Sequence, residues 1–210
     1  MERMTADRIR MSGKTAEIIR TITAPPFMAL LLVSMLYIGL GSEAFVSPLH
    51  YIEAIFTLTL LPLLAYLPCR MIPSLKSKGR KLERNLALVF SVLGYVLGAV
   101  FALFGGGTRI EIILYLTYLI SGMLTALTTI FGFKASGHTC GTSGPAALLV
   151  YCMGPLYALM FALLIPVYAS SIKLKRHTLP QLIAGTIVPV VALMAAIMIS
   201  GAIVEQKQIL

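Results

Sequence analysis

Apolar positions in this chain come in long unbroken blocks, and the polar positions are confined to short stretches between them. The blocks run over Phe27–Val46, Tyr51–Cys69, Leu86–Phe104, Ile110–Phe133, Pro145–Ala169 and Leu182–Val204. A helix rising about 1.5 Å per residue needs about 20 mostly apolar residues to cross the hydrocarbon core of a bilayer. No water is present there to satisfy an open backbone, so only helices and closed barrels span it. The ten-residue alternation of a barrel strand is missing. The pattern predicts an all-α, polytopic transmembrane bundle of six to seven membrane helices.

The fifth block carries its own break signal. Gly154-Pro155 falls near its middle, and proline both lacks an amide donor and disfavours helix in the residue before it. If helix begins near Ser136, the segment divides into Ser136–Met153 and Pro155–Ser171. Each piece is just long enough to cross, which predicts a tight helical hairpin and a seventh helix. Gly105-Gly106-Gly107-Thr108 reads as the turn between the third and fourth blocks, and Pro62, Pro166 and Pro189 read as kinks. Residues 1–26 are expected to form a basic cytoplasmic tail or surface helix bearing Arg3, Arg8, Arg10, Lys14 and Arg20. Residues 27–210 form one transmembrane domain. The first block lies too far from Met1, with flanks too bulky, for a cleaved signal peptide.

Composition agrees: 58% of residues are hydrophobic, 12% are charged, and the mean hydropathy is +0.91. Soluble domains average about 45–50% apolar and about 25% charged residues. A net charge of +9 raises nucleic acid as a partner, but the cations sit in short loops between apolar blocks. That placement reads as topology and as contact with anionic lipid or phosphate. Cys69, Cys140 and Cys152 have no paired spacing, so neither a disulfide framework nor a zinc site follows. They read as small buried hydrophobes. His50 and Glu53, one helical turn apart at the start of the second block, are expected at the interface, as is Glu43. A proton-relay or substrate role is the alternative for the pair.

Three loops carry the remaining chemistry. The first runs from Arg70 to Asn85 and holds Lys76, Lys78, Arg80, Lys81 and Arg84. The second opens with Lys134-Ala135-Ser136-Gly137-His138. The third, Ser170 to Gln181, holds Ser171, Lys173, Lys175, Arg176 and His177. Hydrolysis of a phosphate ester needs cationic donors for the phosphoryl oxygens, for which Lys gives a point charge and Arg a planar fork. A helix N-terminus adds backbone N–H groups. A nucleophile and a proton donor complete the set, and histidine serves as either. The loops supply every part. Only Glu83 among them is acidic, so no metal and no organic cofactor is implied.

These loops resemble the three motifs of the type 2 phosphatidic acid phosphatase superfamily: Lys-x6-Arg-Pro, Pro-Ser-Gly-His and Ser-Arg-x5-His-x3-Asp. Ala135-Ser136-Gly137-His138 matches three of the four positions of the second. Ser170 and His177 match the third, with Ser171 in place of its arginine and Gln181 in place of its aspartate. Gly185 suits the small residue often found four positions further on. The first loop has the cations without the spacing, since Lys76 is one residue too far from Arg84, Lys78 one too near, and Asn85 replaces proline. The resemblance covers residues 70–190 and implies a core of that superfamily's fold. It further implies His177 as the nucleophile that forms a phosphohistidine and His138 as general acid. Gln181 would orient His177 from the same helix face at i+4. Arg84, Lys76 or Lys78, Ser136 and Gly137 would hold the phosphate, with Lys173, Lys175 or Arg176 standing in for the missing arginine.

One shared site requires the three loops to lie on one side of the membrane. Two crossings separate loops one and two, and the Gly154-Pro155 hairpin is needed to put two between loops two and three. On that topology the tail and loops hold every one of the 17 Lys and Arg residues except Arg109 and Lys207. The positive-inside rule then makes their face cytoplasmic, in an integral protein of the cell membrane. The expected function is hydrolysis of a polyprenyl- or diacylglycerol-type phosphate or diphosphate. The expected partners are that lipid substrate and the bilayer, with no nucleic acid; the oligomeric state is not given by the sequence. Two alternatives stand beside it: a non-catalytic lipid-binding or scaffold descendant, and a small helical transporter. The transporter predicts loops two and three on opposite faces.

Overall fold

The computed structural model describes residues 11–72 and 79–209. Lys76 and Lys78 lie outside that range, and of Arg84 only the backbone is described. Among the described residues the regular structure is entirely helical. Helix α1 (Gly13–Ile22) precedes α2 (Pro25–Leu40). The second span is a relay of α3 (Pro48–Ile55), a π-helical turn (Phe56–Leu60), α4 (Leu61–Leu64) and α5 (Tyr66–Met71). Then come α6 (Gly79–Phe104), α7 (Arg109–Ile130), α8 (Gly137–Met153), a 3₁₀ stretch (Pro155–Leu163) running into α9 (Leu164–Lys173), and α10 (Leu179–Ile209). Six segments are long and apolar enough to cross a bilayer: Pro25–Glu43, Pro48–Pro68, Asn85–Phe104, Arg109–Ile130, Pro155–Lys173 and Leu179–Ile203. The chain is an all-helical membrane protein.

Local chemistry sets the breaks. Gly154 takes φ +103°, a left-handed conformation that glycine adopts without a Cβ penalty, and it ends α8. Pro155 opens the next helix, where its missing N–H costs nothing. The chain folds back there, and the 3₁₀ stretch packs along α8. The hairpin expected at Gly154-Pro155 is therefore present, and the single block Pro145–Ala169 is replaced by two antiparallel helices, with Pro145 inside the first. Pro166 leaves the carbonyl of Ala162 without its usual donor, next to the residues that tighten into 3₁₀ geometry. Pro62 likewise cannot bond the carbonyl of Leu58, and the π-helical turn sits immediately before it.

Large apolar side chains cover the outside: Ile38, Phe104, Leu156 and Ile165 are each more than 70% exposed, as a lipid-facing surface requires. Small and polar residues fill the inside, because helices in lipid associate through close packing and hydrogen bonds rather than a hydrophobic drive. Helix α8 is the hub, packed against α2, α7, α10 and the 3₁₀ stretch. Its Thr139, Thr142, Ser143, Gly144, Pro145, Ala146, Ala147, Leu148 and Leu149 are all buried.

At the end of the bundle where α6 turns into α7, His50 is buried within the protein and pairs with Glu111 at 2.7 Å (Nδ1 to Oε1). The other Glu111 oxygen accepts from the Thr108 N–H at 2.7 Å, closing a capping box at the start of α7. One turn deeper, the Tyr115 hydroxyl donates to Glu53 and lies 3.3 Å from Thr57 Oγ1. Glu111 is 61 positions from His50, so no local pattern joins them.

Candidate active site

At the opposite end, loops two and three are tied together backbone to backbone. The N–H of Ser136, the N-cap of α8, donates to the Gln181 carbonyl at 2.9 Å. Thr139 Oγ1 lies 3.0 Å from the Leu182 carbonyl. This approach of α10 to the start of α8 depends on Gly185, since a Cβ there would collide with Thr139 Oγ1 and the Ser136 backbone. Loops two and three therefore share one end of the bundle. Helix α6 runs antiparallel to α7, whose last turns flank α8 at Thr125 and Cys140. The start of α6, with the Arg84 backbone, lies at that same end.

Each histidine is held by a defined partner. His177 Nδ1 is 3.1 Å from Gln181 Oε1, the i+4 contact expected from the sequence. An amide oxygen only accepts, so Nδ1 carries the proton and Nε2 the lone pair. The same Gln181 oxygen accepts from the Thr178 N–H at 3.2 Å, capping α10 as well as orienting the ring. His138, in the first turn of α8, is gripped from both sides by one residue of α1. Its Nε2–H donates to the Arg20 carbonyl at 2.9 Å, and its Nδ1 accepts from Arg20 Nη2 at 3.2 Å. Arg20 Nη1 donates to Ser171 Oγ at 2.8 Å.

The electrostatics are one-sided. Burial, then the Arg20 charge, then His177 push the His138 pKa down to about 4, so the ring is neutral at pH 7. Burial and the charge of Arg176 lower that of Arg20. Among the described residues no carboxylate pairs with Arg20 or Arg176, and the His50–Glu111 ion pair lies at the other end. Nor do the described residues offer a group of three His, Cys, Asp or Glu side chains able to hold a metal ion.

Of the other sequence-derived candidates, Gly137 is exposed at the α8 N-terminus, Lys173 ends α9, and Arg176 is exposed between α9 and His177. Ser136 is fully buried, and its hydroxyl faces the Thr139 N–H of its own helix. Arg20 was missed. Residues 13–22 of the expected tail form α1, which packs against α9, and the signal was indirect: an arginine absent at Ser171 and a basic amphipathic stretch next to the first span.

Beside Gly137 a cavity of about 180 Å³ opens between α6, α7 and α8, lined by Ser91, Tyr95, Tyr118, Ser121 and Cys140 among others. Tyr118 Oη and Ser121 Oγ are buried there without a hydrogen-bond partner. Cys140 and Cys152 are free thiols.

No family model, no curated protein and no solved structure matches the chain. What is established is the class: an all-helical membrane protein with six segments long and apolar enough to cross a bilayer, in which Arg20, His138 and His177 meet at one end of the bundle.

Proposed function

We propose that the protein hydrolyses a lipid phosphate or diphosphate, of polyprenyl or diacylglycerol type, in the manner of the type 2 phosphatidic acid phosphatases its motifs resemble. The observation that carries this reading is the meeting of His138 and His177 with Arg20 at one end of the bundle, each histidine in a defined tautomer. His177 presents Nε2 as a nucleophile. It attacks phosphorus, the P–O bond to the lipid breaks, and a phosphohistidine forms. His138 delivers a proton to the departing lipid oxygen. That proton arrives with the substrate: a bound phosphate's negative charge favours the imidazolium that Arg20 and burial disfavour. Water then attacks the phosphohistidine, His138 takes up its proton, and orthophosphate leaves. Arg176, Lys173, Arg84 and the N–H groups at the start of α8 hold the phosphoryl oxygens. The cavity beside Gly137 takes part of the apolar chain. By the positive-inside rule the site faces the cytoplasm.

A second reading, a lipid-phosphate binder without turnover, is favoured by Gln181, which orients His177 but lends it no negative charge. Phosphate release by the detergent-purified protein from a panel of lipid phosphates, beside His177→Ala, separates the two. Release that falls by about 1,000-fold or more in the variant, without added metal, supports catalysis. Release no higher than the variant's on every lipid, with lipid phosphate still bound, supports the binder.

A further inference from the structure

We propose that Arg20, on the amphipathic helix α1, is the phosphate-binding guanidinium of this site and replaces the arginine missing at Ser171. The inference rests on the phosphate-site reading above and adds to it a residue from outside the three loops.

The geometry is direct. Ser171 stands where the third motif has arginine, and it is fully buried. Its hydroxyl is 2.8 Å from Arg20 Nη1, so the Arg20 fork lies at the spot that a longer side chain from position 171 would reach. The second arm of the fork is 3.2 Å from His138 Nδ1. One guanidinium thus touches the motif-two histidine and the vacated motif-three position together. A guanidinium has five N–H donors, and Ser171 and His138 occupy only two of them. Arg20 is half-buried and has no carboxylate partner among the described residues, an arrangement that is costly for a structural arginine and suited to one that awaits an anion.

The contact with His138 also couples binding to chemistry. Neutral His138 accepts at Nδ1 from Arg20. Once His138 takes a proton, Nδ1 becomes a donor and that hydrogen bond is lost. The fork is then released to the phosphoryl oxygens, where it makes charge-assisted bonds, just as His138 becomes competent to donate. Arg20 and His138 change partners together.

The test uses the full-length chain in detergent, with orthovanadate as the probe, read by the shift in melting temperature, alongside phosphate release. Wild type, Arg20→Ala, Arg20→Lys and the double variant Arg20→Ala/Ser171→Arg are compared. Arg20→Ala should weaken vanadate binding and slow release by about 10- to 100-fold, the worth of one or two hydrogen bonds to a charged group. Arg20→Lys should recover little, because a point charge cannot fork. Ser171→Arg should restore most of the loss, which a merely structural role for Arg20 would not allow; the double variant also decides the matter if Arg20→Ala folds poorly. Vanadate binding unchanged in Arg20→Ala, or a loss that Ser171→Arg does not restore, overturns the assignment of Arg20 alone. A wild type that neither binds vanadate nor releases phosphate overturns the phosphate site together with it.

Discussion

The two ends of this bundle use similar parts to opposite effect. At one end His50 meets Glu111 at 2.7 Å, and the second Glu111 oxygen caps α7. That pair is buried. At the other end His138 meets Arg20, a cation beside a base, with Arg176 and His177 close enough to depress the neighbouring pKa values. The first arrangement is complete without a ligand and acts as a tie between α3 and α7. The second sets a guanidinium against a neutral imidazole, with a further arginine nearby.

Substitutions should split the two ends cleanly. Glu111→Ala strips His50 of its partner and α7 of its cap, and should destabilise the protein by about 3–5 kcal/mol, the usual cost of breaking a buried ion pair. The checking measurement is the thermal midpoint in detergent. A midpoint within a degree or two of wild type would remove the distinction between tie and site. His177→Ala should do the reverse, abolishing release while leaving the midpoint near wild type.

Acid should act mainly through the cationic end. The folded His138 pKa lies near 4 against an ordinary value of 6.5, so the unfolded chain binds the proton first. The stability this contributes is complete above pH 6.5 and is lost as pH falls from 6.5 towards 4. Its full size is up to about 3 kcal/mol, at about 1.4 kcal/mol per pH unit. The groups facing His138 that share in the effect are Arg20 and His177. A His138→Gln variant should flatten the slope of midpoint against pH over this range; an unchanged slope would place the acid sensitivity elsewhere.

The smallest effect concerns the cavity between the ends. Tyr118→Phe removes a buried hydroxyl that has no partner and should raise stability by about 1 kcal/mol in lipid-free detergent. A fall in the thermal midpoint would show that the hydroxyl is satisfied in the folded protein.

Much of this was legible along the chain because its causes are local. Block length fixed the spans, Gly154-Pro155 fixed the hairpin, and i+4 spacing fixed the contact of His177 with Gln181. Those features depend on helix geometry and on the backbone chemistry of glycine and proline, and neighbouring residues suffice to decide them. The order of the loops and the need for an even number of crossings were enough to predict that His138 and His177 share an end.

The partners were decided by tertiary structure. Nothing near His50 points to Glu111, 61 positions on, and nothing near Ser171 points to Arg20, 151 positions back. Each pairing arises from which helices the bundle sets side by side. That depends on close approaches such as the one Gly185 permits, and a one-dimensional hydrophobic pattern does not encode them. The sequence by itself determined a helical membrane protein with a basic, histidine-bearing end. The packing decided that His50 meets a carboxylate and His138 an arginine.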